Sequence, residues 1–268
     1  MFARAAIASL LVLAAASGAV SAQTYARPSA APRTTDRNAL VAQAREREIH
    51  ERFMRGVGLE ERGDWNGAEA EFQRLLVLDP AEPKGSTVRY DLALAEAHLG
   101  RDDVAARLLE DALHRDPRFA AAAANLVAIQ LRRGDLTAAR AAADRFVATA
   151  PGAALARYAR GLTALRAGDL PTARADFRAL IDADPAYAVA HYDLALIELR
   201  AGRDDTARTE LEAALTLSPA YARARFALGT VLMRDGRRAD ARIAFDRCAR
   251  DAEDPVLRAL AIDLRDRL

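Results

Sequence analysis

Glycine recurs at an almost constant interval along this chain, at Gly63, Gly100, Gly134, Gly168, Gly202 and Gly236. The first interval is 37 residues, and each of the next four is 34 residues. An alanine follows each glycine by five residues, at Ala68, Ala105, Ala139, Ala173, Ala207 and Ala241. A proline closes each segment, at Pro80, Pro117, Pro151, Pro185, Pro219 and, two residues late, Pro255. Such a period predicts stacked copies of one small unit rather than a single deep core.

Each repeat has the pattern of two helices. In the fourth, residues 153–167 carry apolar or small side chains at spacings of three and four, and Gly168 and Asp169 then interrupt the helix. A second amphipathic run continues to Ala183, with Pro171 in its first turn. The residue before the closing proline is predicted to cap the next helix, which the proline would begin: Asp79, Asp116, Asp184 and Ser218.

The recurrent alanine indicates close crossing of two helices. Four residues later comes a bulky side chain in five of the repeats: Phe72, Leu109, Phe177, Leu211 and Phe245. The third repeat has Ala143 there, which predicts the loosest packing of the six. Because one helix pair cannot bury its apolar face alone, neighbouring pairs are expected to stack.

These features resemble the tetratricopeptide repeat family, over about residues 49 to 254. The family has 34-residue helix-turn-helix units with a first-helix glycine, a glycine-acid turn, an alanine early in the second helix, an aromatic residue four positions later and a terminal proline. Gly56, Gly161 and Gly229 match the first-helix glycine, and Ala93, Val127 and Ala195 replace it elsewhere. The resemblance implies an all-α fold, a right-handed superhelical solenoid of about six helix-turn-helix units with a C-terminal capping helix.

The two ends depart from the repeat. Residues 1–22 have an early arginine, an apolar run and small residues before Gln23, which is typical of a cleaved signal peptide and predicts an exported, periplasmic protein. The alternative is an uncleaved anchor, but the run is shorter than the ~20 residues of a spanning helix. Residues 23–37 are predicted to be a flexible leader, residues 38–254 the array of six repeats, and residues 255–268 the capping helix.

Charge and chemistry exclude several function classes. Without residues 1–22 the chain has 38 basic residues (39 − 1) and 38 acidic residues, so nucleic acid is a poor candidate partner. The single cysteine, Cys248, stands where the repeat expects a buried small residue, and the four histidines fall in different repeats. We therefore expect no catalytic residues, no metal site and no cofactor, and no membrane span in the mature chain.

The first helices are expected to line a concave groove, in which three rows of residues recur. One row carries aromatic side chains at Phe53, Tyr90, Tyr158, Tyr192 and Phe226, with Ala124 in the third repeat. One turn later come Leu162, Leu196 and their equivalents, and near the helix end come Arg132, Arg166, Arg200 and Arg234. Such a groove could hold an extended peptide or a helix, with rings providing area and guanidinium groups reading carboxylates. The alternative is that the rings pack between helices while the arginines are solvated and neutralise helix C-termini.

The sequence favours a non-enzymatic scaffold of the cell envelope that binds another protein, such as an assembly factor for an envelope complex. Two other functions stay open: an accessory that tethers a cell-wall or secretion enzyme, and a repeat protein that self-associates into a homo-oligomer. Asn125 is the only asparagine among the inward positions, and the lysines of the family's carboxylate-clamp groove are absent. Recognition of a chaperone tail is therefore not expected.

Overall fold

A computed structural model describes residues 37–78 and 85–268. The predicted signal peptide, and the predicted leader up to residue 36, lie outside the described residues. The described part of the chain contains thirteen helices and no strand. Their bounds are α1 Arg37–Glu61, α2 Trp65–Leu78, α3 Gly85–His98, α4 Asp102–Arg115, α5 Ala120–Arg133, α6 Leu136–Thr149, α7 Ala154–Ala167, α8 Leu170–Ala183, α9 Ala188–Arg200, α10 Asp204–Leu217, α11 Ala222–Arg234, α12 Arg238–Asp251 and α13 Pro255–Asp266.

The chain divides into two compact units between Ala159 and Arg160, inside α7. In the first unit, α1 pairs with α2, α3 with α4 and α5 with α6, and α2 also contacts α3 and α4 contacts α5. In the second unit the same relations join α8 to α9, α9 to α10, α10 to α11 and α11 to α12. The helix α13 packs on α12 and buries Leu257 and Ala261, as expected of a capping helix.

Glycine sets the turn between the two helices of a pair. Gly134 has φ of +78°, the left-handed conformation that side chains with a Cβ rarely adopt. Its amide donates to Leu131 O at 3.2 Å, and the amide of Asp135 donates to Gln130 O at 3.0 Å, so two carbonyls of the last turn of α5 are satisfied. The other five recurrent glycines have φ between +70° and +79°. This is the helix break that the sequence period predicts.

The prediction that Asp116, Asp184 and Ser218 cap the next helix is wrong, because those helices begin four residues later, at Ala120, Ala188 and Ala222, and have no side-chain cap. The fourth predicted cap, Asp79, lies outside the described residues. The Asp184 carboxylate accepts from the amide of Ala186 at 3.0 Å. The Asp116 carboxylate accepts from the amide of Arg118 at 3.0 Å, and α5 begins only at Ala120. These carboxylates therefore close a local turn instead of capping a helix. The capping role belongs to the aspartate that follows the recurrent glycine: Asp135 accepts from Ala138 N at 2.9 Å, and Asp169 accepts from Thr172 N at 3.2 Å.

The recurrent alanines are all fully buried, as the close-crossing argument predicts. Next to these alanines, the sizes of the facing side chains on the two helices of a pair are complementary, which is here called the volume rule. Where the second helix carries phenylalanine, the first helix carries glycine, and a Cβ on Gly56, Gly161 or Gly229 would lie only 2.6, 2.9 or 2.7 Å from the ring of Phe72, Phe177 or Phe245. Alanine faces leucine in two pairs, Ala93 with Leu109 and Ala195 with Leu211. In the third pair the order reverses, because Val127 supplies volume that offsets the small Ala143.

Buried carboxylates form ion pairs both between neighbouring pairs of helices and inside a pair. Glu198 of α9 is 1 % exposed and accepts from Arg174 of α8 at 2.8 Å and from Arg203. Asp176 of α8 accepts a bidentate guanidinium contact from Arg160, at 2.6 and 2.8 Å. Asp176 has Arg160 as its ion-pair partner, so removal of that arginine would leave a buried charge uncompensated, whereas Glu198 has two arginines.

Candidate protein-binding face

The side of each unit formed by the first helices, here called the first-helix face, holds the three predicted rows. The aromatic row is buried: Phe53, Tyr90 and Tyr158 are 0 % exposed, Tyr192 is 3 % and Phe226 is 7 % exposed. Two of its rings pack on the second helix of their own pair, with centroids separated by 6.1 Å for Phe53 and Phe72, and 5.5 Å for Phe226 and Phe245.

Two further rings of the aromatic row pack against a second aromatic row that the sequence reasoning missed. Tyr90 lies 4.9 Å from Phe119, and Tyr192 lies 5.0 Å from Tyr221, between ring centroids. Phe119, Tyr187 and Tyr221 each stand two residues after a repeat-closing proline, and that recurrence was the available signal. The burial favours the packing alternative for the aromatic row, because a partner could touch these rings only if they left their present contacts.

The leucine row, one turn further along, is partly accessible. Leu162 is buried, at 2 % exposure, whereas Leu196 and the equivalent Leu94 and Thr230 are half-buried. The predicted residues of this row therefore differ: Leu196 offers apolar surface at the first-helix face and Leu162 does not.

The arginine row contacts the preceding pair of helices. Arg132 donates to Asp102 at 2.7 Å and to Ala97 O at 3.4 Å, and Arg200 donates to Leu165 O at 3.1 Å. Arg234 lies 3.7 Å from Asp204, and Arg166 is half-buried. Ala97 and Leu165 lie in the last turns of α3 and α7, so these contacts favour the alternative in which arginines neutralise helix C-termini. More than half of the Arg234 side chain stays exposed.

Polar side chains directly follow the aromatic row in three pairs, and all three are buried. Asp91 and Asp193 are 1 % exposed and Asn125 is 0 % exposed. The Asn125 amide donates to the Tyr90 hydroxyl at 3.1 Å. Their shared place in otherwise apolar first helices was visible in the sequence, but their burial depends on the neighbouring helices.

Burial and nearby charge perturb the ionisable groups of this face. Glu60, at the end of α1, has its pKa raised to about 9 by burial and by the charges of Asp91 and Glu61. Burial and the charge of Asp193 raise the pKa of Tyr192 and of Tyr221. The first unit therefore holds the carboxyl groups of Glu60 and Asp91 on this face, and the second unit holds the buried carboxylate of Asp193 near Tyr192 and Tyr221.

A separate cleft of about 610 Å³ opens between α4, α5 and α6, next to the pair that contains Ala143. Glu110, His114 and Arg145 line it together with Phe146. The cleft lies beside second helices, away from the three predicted rows.

Other chemistry-bearing side chains have structural contacts. Both ring nitrogens of His191 face acceptors, Glu210 at 2.6 Å and Pro185 O at 3.1 Å. Cys248 is buried, and burial raises its thiol pKa to about 11. Within residues 37–78 and 85–268, no group of three or more His, Cys, Asp or Glu side chains could hold a metal ion. In the same residues no helix combines the length and the apolar character needed to cross a bilayer.

Comparison with known proteins decides the family. The sequence profile of the tetratricopeptide repeat matches residues 53–112, 103–154, 158–220 and 192–255. The chain belongs to the tetratricopeptide repeat family. The predicted fold class, an all-α tetratricopeptide repeat solenoid, is thereby confirmed, and the family places the chain among protein-interaction scaffolds.

Solved tetratricopeptide repeat structures share this fold. The TTC0263 protein of Thermus thermophilus is 24 % identical, with a TM-score of 0.58 over 67 % of this chain and 98 % of that one. A repeat protein from Parabacteroides merdae is 14 % identical, with a TM-score of 0.58 over 82 % and 99 %. YrrB, described as having an unusual peptide-binding site, is 14 % identical, with a TM-score of 0.50 over 72 % and 97 %. No curated protein matches the chain.

Proposed function

We propose that this protein is a non-enzymatic scaffold of the bacterial cell envelope, exported to the periplasm, that binds a peptide or helix of another protein along its first-helix face. The observation that carries the proposal is the composition of that face in the first unit, where half-buried Leu94 is accompanied by buried polar groups. A few polar groups of fixed orientation among apolar surface are what specific peptide recognition requires.

The second unit supports the same assignment. Leu196 and Thr230 are half-buried in successive first helices, and Arg234 leaves most of its guanidinium side chain accessible. YrrB, a repeat protein described as having a peptide-binding site, is a parallel from the same fold. Because the predicted aromatic anchors are buried, the proposed contact area moves to the leucine row and the arginine end of each first helix.

Site-specific photocrosslinking tests the proposed face. A benzoylphenylalanine at Leu94 or Leu196 is placed on the first-helix face of the two units, and one at Val77 or Ile243 is placed on second helices, where these side chains are 82 % and 54 % exposed. In cells that naturally make the protein, we expect one partner to be crosslinked from Leu94 and Leu196 and not from the other two positions. Crosslinking from Val77 and Ile243 alone would show that another face is used, and no crosslink from any position would contradict the scaffold function.

Export is tested separately by fractionation and mass spectrometry. Residues 1–22 support the proposal of export, and the mature chain is then expected to begin at Gln23 and to leave the cells with the periplasmic fraction. A chain that retains Met1 and sediments with membranes would contradict cleavage.

Self-association is a second candidate because apolar side chains are exposed in the helices at both ends of the described chain. Leu40 and Val41 of α1 are 48 % and 61 % exposed, and Val256 and Leu260 of α13 are 47 % and 37 % exposed. End-to-end contacts between copies would cover them. Light scattering across a hundredfold range of protein concentration tests this candidate, since a constant monomer mass would exclude it.

A further inference from the structure

We infer that the cleft between α4, α5 and α6 binds an arginine side chain that belongs to a segment of another protein. The cleft lies within the first unit and measures about 610 Å³, inside the range of about 300–1,000 Å³ that is usual for ligand pockets. It opens beside second helices, so it is a site additional to the first-helix face. The inference goes beyond the proposed function and does not depend on it.

The cleft opens where the third repeat lacks two side chains that other repeats have. The residue before the aromatic row is basic in five repeats and alanine in the third: Arg52, Arg89, Ala123, Arg157, His191 and Arg225. The residue three positions after the recurrent alanine is acidic in the first, fourth and fifth repeats and alanine in the third: Glu71, Asp176, Glu210 and Ala142. Ala123 and Ala142 both line the cleft.

Where both side chains are present, they contact each other. The Arg52 guanidinium lies 3.2 Å from the Glu71 carboxylate in the first pair of helices, and the His191 ring lies 2.6 Å from the Glu210 carboxylate in the fifth. Alanine at both positions of the third pair removes the basic group and its partner together, and leaves their space to the cleft. The third pair can therefore accept from outside the kind of side chain that other repeats supply from their own first helix.

The lining of the cleft matches the two parts of an arginine side chain. Buried Leu113 and Phe146 form apolar surface, on which the aliphatic stem can lie and the guanidinium plane can stack. Glu110 and Asp111 stand exposed on α4, and neither side chain has a hydrogen-bond or ion-pair partner among the described residues. A guanidinium group has five donors and no acceptor, so it can pair with both carboxylates at once.

Charge complementarity favours a cation and fixes its direction. With His114 neutral, the lining carries two negative charges on α4 and one positive charge, that of Arg145 on α6. Arg145 repels a second cation, so the bound guanidinium should point toward α4 rather than α6. Arginine suits the site better than lysine, because its planar group can stack on Phe146 and pair with two carboxylates.

Fluorescence polarisation with defined peptide pools tests the inference. The probes are fluorescein-labelled, end-blocked nonapeptides whose central residue is arginine, lysine, glutamine or glutamate, with alanine, serine, leucine and tyrosine mixed at the other positions. The protein is the chain from Gln23 to Leu268 at neutral pH. We expect the arginine pool to bind about tenfold more tightly than the glutamine pool, the lysine pool to lie between them and the glutamate pool to bind least. Equal binding of the four pools, or no binding, would overturn the inference.

Filling the cleft from within is the most direct variant. Ala123→Arg with Ala142→Glu recreates in the third pair the combination of Arg52 with Glu71, so the cleft is closed and the preference for the arginine pool should disappear. Ala244→Glu is the matched control, because it places the same acid beside Arg225 in the sixth pair, away from the cleft, and should bind like the native chain. Circular dichroism shows whether each variant keeps the native helix content.

Variants of the exposed lining residues decide the question even where the filled variant does not fold. Glu110→Gln with Asp111→Asn keeps the side-chain shapes and should lower affinity for the arginine pool about tenfold, to the level of the glutamine pool. Arg145→Gln removes the repelling charge and should raise that affinity about twofold to threefold. Glu212→Gln, at the position of the fifth repeat that corresponds to Glu110, should have no effect. Unchanged affinity in the double variant would overturn the assignment to this cleft.

The two proposals can fail independently. If Leu94 and Leu196 crosslink a partner but the pools bind equally, the scaffold function stands and the arginine site is wrong. If the arginine pool binds through Glu110 and Asp111 but no partner is crosslinked, the site stands and the scaffold function is wrong. If the preference appears only after residues 23–36 are removed, the leader's own arginines occupy the cleft, and the assignment to another protein is overturned.

Discussion

The volume rule between the paired helices makes a sharp prediction at Gly161. A Cβ at this position would lie 2.9 Å from Cε1 and 3.1 Å from Cζ of Phe177, and 3.3 Å from Cβ of Asp176. Unstrained carbon contacts are about 3.5–4.0 Å, so the ring must retreat by roughly half an ångström or more. Phe177 is 0 % exposed, and it has no free space toward solvent in which to move.

The expected size of the effect combines two opposing contributions. Overpacking of this kind costs about 1–3 kcal/mol, whereas alanine in place of glycine in a helix interior stabilises by about 0.5–1 kcal/mol. Gly161→Ala should therefore destabilise the protein by about 1 kcal/mol. Phe177→Leu alone should also destabilise it, by about 1–2 kcal/mol, through the space that the ring leaves.

The double variant is the decisive measurement. Gly161→Ala with Phe177→Leu recreates the alanine-leucine combination of Ala93 with Leu109, so it should be more stable than the sum of the single effects by about 1 kcal/mol. Urea unfolding followed by circular dichroism gives the three free-energy changes. Additivity within about 0.4 kcal/mol would refute the volume rule.

Gly58→Ala is a control in which the same substitution should change the stability in the opposite direction. Gly58 is also inside a helix, but a Cβ there would meet only the end of the Arg62 side chain, at 3.5 Å. The same substitution should therefore stabilise the protein by about 0.5–1 kcal/mol. If Gly58→Ala and Gly161→Ala changed stability equally, crowding by Phe177 could not be the cause.

Three further predictions concern ionisable groups. Because the folded state raises the pKa of Glu60 from 4.5 to about 9, stability should fall as pH rises between these values, and Glu60→Gln should flatten that slope in urea midpoints from about pH 5 to 9. The buried Cys248 thiol, with its pKa raised to about 11, should react with a thiol reagent at about pH 8 only after unfolding, and rapid reaction of the native chain would contradict its burial. Arg160→Met leaves the buried Asp176 carboxylate unpaired and should cost about 3 kcal/mol in thermal or urea unfolding, most of it restored by adding Asp176→Leu.

The sequence predicts the features that the repeat imposes on every copy. The turn at Gly134 and the buried alanine at Ala139 follow from the period, because each is a local backbone or packing requirement. Pro171 occurs in the fourth repeat alone, and its place in the first turn of α8 follows from its missing amide hydrogen. The start of α5 at Ala120 does not follow, since Asp116 has two ways to use its carboxylate and only the fold shows which one occurs.

The candidate binding face was harder to predict, because its aromatic rings could either face a partner or pack against neighbouring helices. Periodicity places Tyr90 and Tyr192 on the first-helix face, but their accessibility depends on Phe119 and Tyr221, which arrive from the following turn. The arginine row shows the same dependence: Arg132 reaches a carboxylate 30 residues earlier in the chain. Contacts between neighbouring repeats determine the environment of these tyrosines and arginines, and the pattern of a single repeat does not show those contacts.

Volume and charge are balanced over different distances in the array. Volume is balanced inside each pair of helices, as with Gly161 and Phe177, whereas ion pairs form both inside a pair, as with Arg160 and Asp176, and between neighbouring pairs, as with Arg174 and Glu198. Asn125 contributes a polar contact between neighbouring pairs, because its buried amide donates to the Tyr90 hydroxyl at 3.1 Å. A leucine there would match the apolar pattern of α5 but would remove this donor from the buried Tyr90 hydroxyl, so the asparagine has a structural role in the stacking of α5 on α3.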